Sequence, residues 1–279
     1  MTILTIASTT ILETARRRVV AIVGVSSIFA IIGIWWGFAR LAAAIAQPVP
    51  VAAVAAVLTI LLAFAFSVLL AVGGSFLAAP AIAGELENGT ALAILPRPIS
   101  RASYVLGKWV GLASLVAVYA AACGALAFGA IALGAGYRAP HETRAIVFLV
   151  AESVTLFTAA LALSTRLGPI ATGIVSVSLF GFAWIAGITA VVARDLKADM
   201  LADAATAAGL LVPTDGLWRG AAYDLTPIAM LVALEQTGPR SVNPFGVSAP
   251  PAPAFLVWSG LWVVAVLGLA IASLRTRDI

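Results

Sequence analysis

One acidic side chain in this sequence sits where water should be scarce. Glu152 lies inside the apolar stretch Ala145 to Leu163, far from either end. An ionised carboxylate at the centre of a bilayer costs about 3 kcal/mol on insertion scales. Two functional roles fit such a residue, a proton-coupling group or a substrate contact. A neutral, hydrogen-bonded packing group facing another helix fits equally. Elsewhere the chemistry is sparse. Gly107-Lys108 has Ala102 and Trp109 where a phosphate loop needs Gly and Ser or Thr, so it does not cradle a nucleotide. Gly134-Ala135-Gly136 and the residues after it loosely match a dinucleotide fingerprint, but they follow an apolar run, not a strand. His141 and Cys123 are the only His and Cys, too few for a tetrahedral zinc site or an internal disulfide. Ser and Thr are plentiful, yet no base accompanies them in an apolar run. The chain therefore reads as non-catalytic, with no metal and no cofactor of its own.

The elements that must carry these residues follow from composition. Of 279 residues, 62% are hydrophobic and 10% are charged, against about 25% charged in soluble domains. This excludes a soluble enzyme, a disordered chain and a nucleic-acid-binding domain, despite a net charge of +4. The expected fold is all-α and polytopic, in one transmembrane domain. Six spans are expected, at Val19–Phe38, Val51–Ala79, Tyr104–Leu133, Ala145–Leu163, Ile170–Ala193 and Ala254–Leu274. The second run would be about 43 Å long as one helix, so it must tilt, protrude or break near Gly73-Gly74, with Pro80 as the expected stop. Residues 1–18 are expected to form an amphipathic helix at the membrane surface. Its stripe is Leu4, Ala7, Ile11 and Ala15, its capping box Thr10 and Glu13, and Arg16 to Arg18 close it.

An even number of spans puts both termini on one side, and basic residues choose that side. One side holds Arg16, Arg17, Arg18, Arg97, Arg101, Lys108, Arg166, Arg275 and Arg277; the short loops opposite hold Arg40, Arg138 and Arg144. Both termini are thus expected in the cytoplasm, the protein being multi-pass in the plasma (inner) membrane. The sequon Asn88-Gly89-Thr90 then faces the cytoplasm and is inert. Residues 194–253 form a larger extracytoplasmic segment between the last two spans. It is expected to hold helices near 195–212, with Asp195, Asp199 and Asp203 on one face, and near 217–236. Either it caps the helix ends or it is a gate or docking surface for an extracytoplasmic partner. Gly33/Gly37 and Gly107/Gly111 have the spacing that lets membrane helices approach, within the chain or across a dimer seam.

The connection over 85–103 has the most specific pattern. A short helix is expected to begin near Glu85, and Pro96 and Pro98 end it. Ser100 caps the next helix, and Arg101 and Lys108 anchor that helix at the headgroups. A rigid mix of acids, apolar residues and bases suits a protein contact.

Glu85 to Gly89-Thr90, then Pro98-Ile99-Ser100-Arg101, then Gly107-Lys108, resemble the first intracellular loop of ABC-2 type permeases, the membrane subunits of one class of ABC transporters. The N-terminal helix, six spans and Arg277-Asp278-Ile279 ending are similar to that layout. Pro213-Thr214-Asp215 with Trp218-Arg219 resembles the NosY-like branch, the permeases of nitrous oxide reductase maturation. The resemblance implies an exporter-type subunit that pairs with itself or a second permease and with ABC ATPase subunits, which would bind ATP and Mg. It implies ATPase coupling through Glu85, Glu87, Gly89, Thr90, Pro98, Ser100 and Arg101. The alternative is a secondary transporter or channel using Glu152 for ion coupling.

Overall fold

The computed structural model describes residues 3–16, 18–45, 48–89, 100–237, 247 and 249–276. Thr90, Pro96, Arg97, Pro98 and the Arg277-Asp278-Ile279 ending lie outside the described residues. Within them the chain is helical: α1 (Ile3–Ala15), α2 (Arg18–Ala44), α3 (Pro48–Glu87), α4 (Arg101–Ala135), α5 (Glu142–Leu163), α6 (Pro169–Asp195), α7 (Asp199–Leu211), α8 (Thr214–Leu225), α9 (Ile228–Thr237) and α10 (Pro253–Arg275). Six of these, α2 to α6 and α10, are long and apolar enough to cross a membrane. The fold is an all-α polytopic membrane fold, as the composition predicts.

We call the end of the bundle holding Glu87, Arg101, Leu163 and Arg275 the tail end, and the other the far end. Among the described residues three buried clusters hold the bundle together, the smallest being Ala71, Leu156 and Phe180 at mid-depth. The far-end cluster joins Phe38, Ile60, Phe128, Leu149, Trp218 and Leu225. The tail-end cluster joins Ile82, Val105, Leu112, Phe157, Leu161 and Leu274. Apolar side chains such as Ile22, Phe29, Leu69, Val118 and Val264 face outward, as lipid contact allows.

Several expected boundaries change. Pro80 lies inside α3 and does not end it. A proline removes one helical donor and clashes with the preceding turn, but neighbouring helices in a bundle absorb this. The helix expected to start at Glu85 is therefore the last turn of α3, which at 40 residues is about 60 Å long. That is about twice the thickness of the hydrocarbon core. Gly73-Gly74 makes no break. Thr10 caps nothing; it is mid-helix, its hydroxyl donating to the Ile6 carbonyl at 2.8 Å. The packed stripe of α1 is Ile6, Ala7, Thr10 and Thr14, while Leu4 and Leu12 are exposed. Lys197 adopts φ 56° and breaks the helix expected over 195–212, so Asp195 ends α6 while Asp199 and Asp203 belong to α7. The expected 217–236 helix divides before Pro227, into α8 and α9.

The two glycine pairs differ in use. A Cβ on Gly107 would lie 2.6 Å from Ile6 Cβ, and one on Gly111 would lie 2.8 Å from the Ala7 carbonyl oxygen. Those glycines let α1 lie against α4. Gly33 and Gly37 face open space. The close approach of α2 to α4 occurs at Gly134, where a Cβ would meet the Trp35 carbonyl oxygen at 2.7 Å.

Within the 194–253 segment, α7 folds back along the outside of the spans, burying only Ala202 and Ala205, and α8 folds back among them. Thr206 of α7 accepts from Arg194 at 2.8 Å, near the far end of α6. Further on, the Leu210 and Leu211 carbonyls accept from Trp258 and Trp262 of α10, at 3.0 and 2.8 Å. Trp262 is nine residues into α10, about 14 Å along it. So α7 runs inward. Helix α8 then returns along α5: the Asp224 carboxylate accepts from Arg144 at 2.7 Å, and Gly220 abuts the Phe148 ring. Together α7 and α8 form a re-entrant hairpin whose tip is Val212 to Asp215.

Candidate functional site

At the tail end, the resemblance-derived residues divide into braces and exposed groups. Glu85 is half-buried and accepts from the Tyr104 hydroxyl and from the Lys108 ammonium. Lys108 is itself buried, so it braces α4 to α3 and does not reach headgroups. A buried, bonded ion pair of this kind fixes geometry more than it adds stability. Arg101 donates to the Leu274 and Arg275 carbonyls at 2.6 and 2.8 Å. Arg166 donates to Ser273 Oγ and its carbonyl at 2.8 and 2.9 Å. Two guanidiniums thus cover the C-terminal carbonyls of α10, where the helix dipole favours cations. That role replaces the headgroup anchor expected for Arg101.

Ser100 accepts from the Ser103 amide at 3.0 Å and is the N-cap of α4, as the sequence predicts. Gly89 has φ 72°, the left-handed region that glycine enters without a Cβ penalty. Glu87 is exposed at the end of α3, with its carboxylate beside Gly168, the N-cap of α6. A cleft of ≈380 Å³ opens between α1, α3 and α4, with Thr10, Glu13, Asn88 and Lys108 on its walls. A second cleft, ≈250 Å³ and almost wholly apolar, lies between α2, α3 and α4. Its polar contact is Ser27 with the Tyr119 hydroxyl at 2.7 Å.

No family model matches this chain, and no curated protein does. Its site must be read from its own geometry.

In the interior, Glu152 stands ten residues into the 22-residue α5, about 15 Å from each end. It is 3% exposed. Ser67 of α3 donates to its Oε1 at 2.8 Å, while Oε2 has no partner among the described residues. Contacts 144 with 224 and 148 with 220 fix the antiparallel register of α5 and α8, and that register places 152 opposite 216. Asp215 is accordingly the acid whose charge acts on Glu152. Asp215 Oδ2 accepts from Arg219 Nε at 2.6 Å, and its Oδ1 has no partner among the described residues. The carboxylate is set against Gly187 of α6, where any Cβ would overlap it. Phe64 of α3 bridges Trp184 and Trp218, with ring centroids 5.3 and 5.2 Å away, about one helical turn from Ser67, Gly187 and Asp215 respectively.

Sequence reasoning left Asp215 between the two helices expected in the 194–253 segment and did not bring it to Glu152. The available signal was Asp215 and Arg219 four apart, followed by Asp224. A short helix that neutralises its own charges can enter a bundle. At the far end, burial and then Glu142 push the Tyr137 hydroxyl up to about 12, leaving it neutral at physiological pH. Among the described residues, no three His, Cys, Asp or Glu side chains gather in one place.

Proposed function

We propose that this chain is the membrane subunit of an ATP-driven, ABC-2 type, exporter-like transporter, pairing with an ABC ATPase and with a second permease or its own copy. In this reading ATP and Mg bind the partner, and both termini lie in the cytoplasm. The observation that supports it is the tail-end shoulder. There α3 and α4 flank the 88–100 connection and are locked together by Glu85, Tyr104 and Lys108, with α1 seated on α4 at Gly107 and Gly111. Because α3 and α4 are continuous from this shoulder to the far end, a push on the connection moves whole spans. ATP-driven closure of the partner would supply that push to a two-state bundle.

The geometry refines which residue tests the docking. Glu85→Lys would place two ammonium groups together and unseat the shoulder whether or not a partner binds there. Glu87 is exposed, so Glu87→Lys is the cleaner variant. In complexes purified with the ATPase that co-purifies with the wild type, Glu87→Lys is expected to weaken ATPase association and stimulation while membrane insertion stays unchanged. Unchanged association and stimulation would remove the docking reading and favour the ion-driven alternative.

A further inference from the structure

We propose that Glu152 and Asp215 form a two-carboxyl proton site that latches the tip of the re-entrant hairpin against α5. This inference does not rest on the ATPase reading. Two oxygens carry it, Glu152 Oε2 and Asp215 Oδ1. Both are buried and both lack a donor among the described residues. Buried acceptors without donors are costly. One added proton is the smallest ligand that supplies what is missing, since a neutral carboxyl donates through its O–H while it still accepts. A metal ion would need a set of oxygen ligands that these two acids do not make up.

The surroundings are built for this. Ser67 occupies Glu152 Oε1 and Arg219 occupies Asp215 Oδ2, so each acid keeps one oxygen in hand. Gly187 leaves room for the Asp215 carboxylate. The groups acting on Glu152 are Ser67 from α3 and Asp215 from α8, and the latter acid is bonded to Arg219. Like charges brought together at this depth repel with little screening, whereas a proton held by either acid removes the repulsion. Release of the proton to water leaves two carboxylates, and their repulsion drives the tip of α7–α8 away from α5. Uptake closes it. The ligand is a proton, and the moving part is the hairpin.

Full-length protein in lipid nanodiscs tests this by infrared spectroscopy across a pH titration. The neutral-carboxyl carbonyl stretch is expected in wild type, lost in Glu152→Gln and shifted in Asp215→Asn. Persistence of the band in Glu152→Gln, or its absence from wild type, overturns the site. The latch is read separately from Thr214→Cys in a Cys123→Ala background. Its labelling rate by a water-soluble maleimide is divided by the rate in the same background with Glu152→Gln, which cancels the thiol's own ionisation. For a single proton the ratio is expected to climb about tenfold per pH unit through the opening range. A ratio that does not change with pH overturns the latch. Retained elution volume and helicity of Glu152→Gln, an almost isosteric change, show that the comparison is between folded proteins.

Discussion

Replacing Gly111 by alanine should loosen the N-terminal helix from the bundle. In the native packing, the new Cβ would sit 2.8 Å from the Ala7 carbonyl oxygen, 3.2 Å from Ala7 Cα and 3.3 Å from Thr10 Cβ. Two of those three atoms belong to the backbone of α1, so no rotamer change relieves the overlap and the whole helix must move out. Overpacking of this kind costs about 1–3 kcal/mol. The helix-propensity difference between alanine and glycine cancels, because α4 is helical whether or not α1 is docked. At the lower end of the range, about 1 kcal/mol against docking, undocked α1 rises roughly fivefold. The readout is Thr14→Cys, a position 6% exposed, labelled in a Cys123→Ala background. Gly111→Ala should raise its labelling rate roughly fivefold. Gly37→Ala, where a Cβ meets nothing within 4 Å, should leave it unchanged. Equal rates for Gly111→Ala and the parent would refute the steric argument. So would an equal rise from Gly37→Ala, because that glycine does not touch α1.

Two more outcomes follow from the helix ends and from the charge count. Arg101→Ala should strip two charge-assisted bonds from the end of α10, each worth about 1.5–3 kcal/mol when well shielded and less at this partly exposed site; hydrogen exchange at Leu274 and Arg275 should quicken while α5 is unaffected. Single cysteines at Asn88 and Ala204, both exposed, should differ toward an impermeant thiol reagent in intact cells, with Ala204 labelled and Asn88 protected; the reverse pattern would invert the topology.

The number of spans was legible because long apolar runs leave no other solution in lipid. The start of α4 was legible too, since Ser100 is a serine at a helix entry, and capping is a local matter. What failed to show was anything decided by neighbours. Pro80 reads as a stop in isolation, and only packing keeps α3 going beyond it. Thr10 and Glu13 match a capping box, but the helix had already begun at Ile3. Arg101 and Lys108 look like headgroup anchors until α10 and Glu85 are brought to them through tertiary contacts. Glu152 was visible as an oddity from its surroundings in sequence. Its partner was not, because Asp215 stands 63 positions away in a stretch whose prolines and glycine resemble an ordinary loop.

The hairpin α7–α8 sets an order on how this chain is made. Its helices have 13 and 12 residues, and α8 carries Asp215, Arg219 and Asp224. Neither is long enough to be handed sideways into lipid as a stop-transfer segment during synthesis. The groove that receives α8 has walls from α3, α5 and α6, which leave the ribosome before it, and from Phe255 of α10, which leaves after it and lies against Gly216. Insertion of the spans must therefore come first and tucking-in of the hairpin second, as an assembly step within an already threaded bundle. Until that step is complete, Ser67 and Glu152 border an unfilled gap in the bundle. A quality-control protease or membrane chaperone meeting a half-made copy would find its distinguishing mark there.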